Sequence, residues 1–252
     1  MSNTLFLRLE GPLQAWGERG RWSVRDTASE PTKSGVIGLI ACALGYADDE
    51  RIRFLSQKTR MGVRIDAPGR IISDYHTIGG GYDSPTLLTA QGKPKKTPKG
   101  QPHTEISQRE YLSDASFLVA LQVKDSTDME LISQMALAVQ NPVWPFFLGR
   151  KACVPSTPVY AGVGDYENLE DSLSQPHSFT SYFRQPFRER DKAFKLRMVL
   201  ETDKPIGRRH RDNIYSRRYR VFHPRYTTKP EKETYFVLQK EDGNVSLQIA
   251  TE

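Results

Sequence analysis

Cysteine is nearly absent: Cys42 and Cys153 are the only two in 252 residues. Two thiols cannot build a disulfide framework, and neither has a metal-ligand companion at useful spacing, so a reduced, cytoplasmic compartment is expected. Long apolar runs are missing too. The longest, residues 36–44, falls well short of the roughly 20 residues that cross a bilayer. The opening MSNTLFLRLEG lacks the charged-then-apolar-then-small layout of a secretion signal, so no membrane partner is expected. There is no paired-acid motif, Walker-type loop, metal cluster or nucleophile elbow, and no internal repeat. No cofactor or metal site is expected.

Hydrophobic residues make up 37% of the chain and aromatics 10%, enough for a proper core and against disorder over most of the length. Lys and Arg number 36 against 30 acids, a formal charge of +6. Residues 205–226 hold seven arginines (208, 209, 211, 217, 218, 220, 225) and one acid, Asp212. That stretch carries the whole excess, and concentrated charge points to a polyanion more than an even spread does. A membrane surface is the weaker alternative, because no long apolar face accompanies it.

Residues 4–10 alternate, with Leu5, Leu7 and Leu9 on one face and Phe6, Arg8 and Glu10 on the other. That predicts a half-buried strand ended by Gly11-Pro12. Pro31-Thr32-Lys33-Ser34 opens a helix over about 35–45, with Val36, Ile37, Ile40 and Leu44 apolar; Gly38, Ala41 and Gly45 leave a slim side for close approach. Residues 61–66 and 70–77 read as strands about a Pro68-Gly69 turn. Residues 79–107 form an insertion: within it, 91–102 holds four lysines (Lys93, Lys95, Lys96, Lys99), three prolines and no acid. A projecting hairpin or loop is expected there. Residues 116–123, SFLVALQV, are apolar on both faces, as in a central strand. Thr127 to Glu130 fits a capping box before a helix burying Leu131, Ile132, Met135, Ala138 and Val139 and stopped by Asn141-Pro142. Further strands are expected over 195–200 and 234–239. The order suits an α+β, ferredoxin-like or modified RNA-recognition-type sheet over 1–164, with a small basic β/loop region over 165–252.

Several segments offer anion or base contacts, each with a plainer reading beside it. The helix start at Lys33 and Ser34 joins unpaired amides, a hydroxyl and a lysine into an anion site; an ordinary cap with one exposed lysine is the alternative. Phe146-Phe147-Leu148-Gly149-Arg150-Lys151 joins flat rings, a glycine that lets RNA approach and two cations; the alternative makes the phenylalanines core. Arg109 re-enters the sheet beside the insertion, as an RNA contact or in a salt bridge with Glu105 or Glu110. Arg208, Arg209 and Arg217 belong to a phosphate track interleaved with Tyr215, Tyr219 and Phe222, or to a solvated basic loop. Trp16 and Trp22 read first as packing residues, and His76 as a structural strand histidine.

Five segments recur in a fixed order: Leu7-Arg8-Leu9-Glu10-Gly11-Pro12-Leu13-Gln14-Ala15-Trp16-Gly17, Pro31-Thr32-Lys33-Ser34-Gly35-Val36-Ile37-Gly38-Leu39, Asp74-Tyr75-His76-Thr77, Arg109-Glu110-Tyr111-Leu112-Ser113-Asp114-Ala115-Ser116-Phe117 and Phe147-Leu148-Gly149-Arg150-Lys151-Ala152-Cys153. Together they resemble the CasD family, the type I-E members of the CRISPR-associated proteins numbered five. Past residue 165 the likeness fades, so the arginine-rich end is not anchored by it. The resemblance implies a modified RNA-recognition-type fold with a β-hairpin thumb, and the lysine-rich insertion sits where that thumb belongs. It implies a subunit of the Cascade surveillance complex that holds the 5′ handle of the CRISPR RNA and caps the backbone filament. The partners implied are the backbone subunit CasC, the large subunit CasA and, through the complex, target DNA. Type I-C relatives instead cut precursor CRISPR RNA without metal, which needs a base, an acid and a cation at one phosphate. His76, Tyr46 and Lys33 are the residues available for that alternative.

Overall fold

The alternation at the N-terminus continues past Gly11-Pro12 into one strand, β1 (Thr4–Gln14). Gly11 permits this because a side chain there would meet the Val154 carbonyl at 2.7 Å. A computed structural model describes residues 2–18, 20, 23–80, 86–175, 193–228, 232–241 and 244–249. Trp22 and part of the lysine-rich insertion lie outside them. After β1 come β2 (Val24–Arg25), α1 (Lys33–Leu44), α2 (Asp49–Lys58), β3 (Thr59–Ala67), β4 (Arg70–Gly79) and β5 (Thr104–Val123). A short 3-10 turn precedes α3 (Met129–Gln140), followed by β6 (Tyr160–Gly164), α4 (Leu169–Ser174) and β7 (Ala193–Thr202). The chain closes with β8 (Arg208–Ser216), β9 (Val221–Thr227), β10 (Lys232–Glu241) and β11 (Asn244–Ile249).

These strands form a mostly antiparallel sheet of order β11-β10-β7-β3-β5-β1-β6, with β4 and β2 added along β5 and the β8–β9 hairpin hung from β7. The α+β class holds. Because β7 pairs with β3, the sheet runs straight across the boundary expected near residue 165. One face packs on α1, α2 and α3 through Leu5, Leu7, Leu9, Val119 and Leu121. The other face is also closed. Phe6, Leu118 and Ala120 pack beneath Leu169 and Leu173 of α4, so β1 is buried on both sides rather than half-buried. Each fully buried side chain of that size contributes roughly 1.5–3 kcal/mol. Arg8 shares this face, where it pairs with Asp66, which also accepts from Arg64 Nε at 2.7 Å.

Local details depart from the sequence reading where a competing hydrogen bond wins. α1 starts two residues earlier than expected, because Thr32 is its N-cap and accepts from Gly35 N–H at 3.3 Å. Its slim side is not used as expected: nothing approaches Gly38, whereas Gly45 ends the helix at φ 71°. The capping box at Thr127 does not form, because Asp125 takes both the amide and the hydroxyl of Thr127 at 3.0 Å. The helix behind it does bury Leu131, Ile132, Met135 and Val139, with Ala136 taking the place of Ala138 in the stripe.

Candidate nucleic-acid interface

β5 is 20 residues long, and along one edge it serves two partners in turn. Residues 116–123 pair with β3 inside the sheet, and residues 104–113 pair with β4 in a ribbon that projects from it. The handover falls at Asp114, one of two non-glycine residues with positive φ among those described, at 55°. A short polar side chain tolerates that left-handed geometry better than most. Gly69, at φ 67°, completes the bend, since a side chain there would lie 2.5 Å from the Ser113 carbonyl. The motif Leu112-Ser113-Asp114-Ala115 is therefore the root of the ribbon.

At that root β2 lies parallel to β5, setting Arg25 beside Arg109. Directly paired residues project from the same sheet face, so both guanidinium groups leave on one side. Arg25 is exposed and Arg109 half-buried, its Nε donating to Ser107 Oγ at 3.3 Å. The salt bridges proposed for Arg109 do not form. Glu105 is paired with Lys95, and Glu110 accepts the Thr27 amide at 3.3 Å. Arg25 escaped the sequence reading because β2 is two residues long, and only its pairing gives it a partner.

The loop after α3 completes the cluster, by a different route from the one its sequence suggests. Ala15 N–H donates to the Leu148 carbonyl at 2.9 Å, and Leu148 is fully buried. Gly149, at φ 101°, presses on β1: a Cβ there would sit 1.8 Å from the Ala15 carbonyl oxygen. The glycine thus serves an internal approach of backbone to backbone. Arg150 donates from Nη1 to the Glu110 carbonyl at 2.8 Å and from Nη2 to the Arg25 and Asp26 carbonyls at 2.9 and 3.3 Å. Its guanidinium lies 4.7 Å from the Tyr111 ring centre. Arg150 therefore stitches β2 to β5 and positions Arg25 and Arg109. Lys151 is exposed beside it, Phe147 half-buried, and Phe146 packs against the core. Trp16 is a packing residue: it is buried, its Nε1 donates to Gln14 Oε1 at 3.0 Å, and Gly35 lies against its ring.

The helix start at Lys33 is already filled from within. Lys33 is fully buried, and its Nζ donates to the Thr59 carbonyl at 2.8 Å and to Glu201 at 2.9 Å. Burial pushes its ammonium below the usual lysine range, against the opposing pull of Glu201. Its amide donates to Asp212 at 2.8 Å, so a carboxylate of β8 holds the place a phosphate would take. Ser34 is half-buried beside it. Asp212 is bound in turn by Arg225 through two contacts of 2.8 and 2.7 Å. Burial works against its charge, but the hydrogen bonds and charge of Arg225 and the Lys33 amide prevail and hold its carboxyl below the usual range.

The arginine-rich segment is neither a loop nor uniform. It forms the β8–β9 hairpin, in which His210, Asp212, Ile214 and Ser216 face inward and Arg209, Arg211 and Tyr215 face out. Arg208 lies 3.4 Å from Glu30, Arg217 donates to the Ala47 carbonyl at 2.6 Å, and Arg225 is buried on Asp212. Arg209, Arg211, Arg218 and Arg220 are exposed. On the ribbon, Lys93, Lys96 and Lys99 are exposed, and so are apolar side chains on both of its faces: Ile71, Tyr75 and Ile106 on one, Ile72 and Ile78 on the other. His76 lies on this ribbon, 3.8 Å from Asp74. Tyr46 and Lys33 sit at opposite ends of α1, a 12-residue helix about 18 Å long.

A family model described as CRISPR-associated protein (Cas_Cas5) matches residues 4–229. The CRISPR system Cascade subunit CasD of Escherichia coli (strain K12) is 34% identical over 183 residues, spanning 69% of this chain and 76% of that protein. Among solved structures, a chain of a CRISPR RNA-guided surveillance complex superposes with a TM-score of 0.68 at 28% identity, covering 91% of both chains. A second, described as a crystal structure of a Cas protein, gives 0.60 at 32% identity, covering 91% of this chain and 94% of that one. The five ordered motifs, the sheet that carries them and these likenesses agree, and the chain belongs to the CRISPR-associated protein (Cas_Cas5) family.

Proposed function

We propose that this protein is a non-catalytic, CRISPR RNA-binding subunit of a type I-E Cascade surveillance complex in the cytoplasm. It holds the 5′ handle at the root of the ribbon and caps the backbone filament. The observation that carries the reading is the pairing of Arg25 with Arg109 under the stitch made by Arg150, with Lys151 exposed next to Arg150 in the chain. Exposed cations on a rigid strand pair neutralise phosphates without first having to be ordered. The ribbon corresponds to the family's thumb, and the core to its modified ferredoxin-like sheet. Its exposed Ile71, Tyr75 and Ile106, which share one face, support a contact with a protein neighbour, since apolar side chains grouped in this way are costly to leave in water. The backbone subunit CasC is the neighbour assigned to it, with CasA at another face and target DNA reached only through the complex.

The alternative, a metal-independent endoribonuclease, needs base, acid and cation around one phosphate. Lys33 is buried on Glu201, Tyr46 lies a helix length away, and His76 sits out on the ribbon. That separation supports the non-catalytic reading.

The test is handle-RNA binding by the full chain over a salt series. Arg25→Gln and Arg109→Gln should each lower the slope of log affinity against log salt by roughly 0.7, the release of one counterion from a single strand. Unchanged affinity and slope in both variants would remove the ribbon root as the handle site. A single cut of the repeat RNA by wild-type protein in EDTA, leaving a 2′,3′-cyclic phosphate, would overturn the non-catalytic assignment.

A further inference from the structure

The β8–β9 hairpin carries a second set of cations and rings that the handle site does not use. Its turn, residues 217–220, is a built element. Asp49, the first residue of α2, accepts from Ser216 Oγ at 2.5 Å, from the Arg217 amide at 3.0 Å and from the Arg218 amide at 3.4 Å. Those contacts hold the Asp49 carboxyl below its usual range, the Ser216 hydroxyl most strongly. Arg220 completes the turn at φ 52°. With its backbone pinned, the turn presents Arg218 and Tyr219 outward, and Tyr219 is 72% exposed, with the Arg218 guanidinium 5.5 Å from its ring centre.

The outward face of the strands continues the same chemistry. Tyr215 stacks on His223 at 4.5 Å with the rings 21° from parallel. Arg53 of α2 lies 4.9 Å from the Tyr215 ring on its way to solvent. Arg209 and Arg211 follow on the same strand face. From Arg209 to Tyr215 is roughly 20 Å at the rise of a strand. Of the nearby acids, Asp49 is taken up by the turn, Asp212 by Arg225 and the Lys33 amide, and Asp48 by an exposed pair with Arg51, while Glu50 is exposed beside them.

The tip of the hairpin is remote from the handle site, although its Arg209 end runs back toward Glu30 and the Lys33 amide at the N-terminal end of α1. It is anchored at Ala47 and Asp49, beyond the C-terminal end of α1, while Trp16 and the loop it packs with lie against the N-terminal end. α1 separates them by about 18 Å.

We propose that the outward face of the β8–β9 hairpin, with Arg209, Arg211, Tyr215, Arg218, Tyr219 and His223, is a second binding surface for single-stranded nucleic acid, its tip set apart from the handle site. The open ring of Tyr219, flanked by arginines and by the Tyr215–His223 stack, suits unpaired bases, which stack on any aromatic face while cations follow the backbone. A duplex offers no such ring contact, and an acidic protein would use the arginines but not the rings. Recognition of this kind is independent of sequence and shared by RNA and DNA.

The experiment uses the full-length protein with labelled rU20, dT20 and handle RNA, read by fluorescence anisotropy over a salt series. Tyr219→Ala should weaken rU20 and dT20 binding about tenfold with no change in salt slope, because a stacking contact is lost. Arg218→Gln should reduce the slope by roughly 0.7. Arg25→Gln should weaken handle RNA and leave dT20 unchanged, which separates this surface from the handle site. A preference for rU20 over dT20 assigns the surface to RNA, and equal binding to single strands in general. Homopolymer binding that is absent at low salt, or untouched in both hairpin variants, overturns the proposal. So does loss of a partner subunit from the reconstituted complex with homopolymer binding intact, which would make the hairpin a protein contact.

Discussion

Replacing Gly149 with alanine tests how the proposed handle site is held. A Cβ at this position would stand 1.8 Å from the Ala15 carbonyl oxygen, and the backbone sits at φ 101°. The obstacle is backbone, so no side chain can swing aside, and the loop must retreat by about 1.5 Å to restore ordinary contact. The left-handed strain and the retreat together cost roughly 2–3 kcal/mol. For a chain of this size that lowers the melting temperature by roughly 4–12 °C. The same movement breaks the Ala15 to Leu148 hydrogen bond of 2.9 Å and pulls Arg150 from the carbonyls of Arg25, Asp26 and Glu110. Handle-RNA affinity should then fall about tenfold, the worth of one charge-assisted contact of about 1.5 kcal/mol. Its salt slope should not change, because no cation has been removed. Calorimetry and anisotropy on the same protein preparation measure both. A melting temperature within about 1 °C of wild type would refute the packing argument. A reduced affinity at unchanged stability would return Gly149 to direct RNA contact.

Three of the remaining expectations concern stability, assembly and pH. Asp212→Ala leaves Arg225 buried without its partner and the Lys33 amide without an acceptor, and should cost roughly 3–5 kcal/mol, read as a shift in denaturant midpoint. A shift under about 1 kcal/mol would show that the hairpin is not clasped there. Deleting residues 92–100 should leave the melting temperature within about 2 °C, since that tip is exposed, yet weaken assembly into the complex; a larger fall would place the tip in the core. On acidification, His210, held by burial below its ordinary value of 6.5, must take up a proton on unfolding. Its contribution is therefore present above about pH 6.5 and lost as pH falls through the lowered value, and that of Asp212 is lost in the same sense below about pH 4. His210→Gln should flatten the first part of the stability profile; an unaltered profile would clear His210 of that role.

The sequence by itself determined the strands and helices whose side chains repeat on one face. The Leu5, Leu7, Leu9 alternation, the β3–β4 turn at Pro68-Gly69, the buried strand over 116–123 and the stripe of α3 all follow from period and turn chemistry. The ordered motifs carried the family as well. α2 was not legible, because its apolar positions are only Ile52, Leu55 and the exposed Phe54, too few to reveal a period. α4 has six residues, and β2 has two.

Which cations the candidate site presents depends on tertiary structure, for one physical reason: a cation reads alike in sequence whether its charge is spent inside or offered outside. Lys33 looked like the best phosphate ligand and is the most deeply buried lysine described, while Arg25 stood in no motif and lies beside Arg109. Gly149 and Arg150 act on Ala15, Glu110 and Arg25. The seven arginines of 205–226 divide in the same way. Strand alternation turns Arg209 and Arg211 to solvent, whereas Asp212, supplied by the facing strand, holds Arg225 within. Local pattern fixes which way a side chain leaves the backbone, and only the packed fold supplies the carboxylate or carbonyl that waits there.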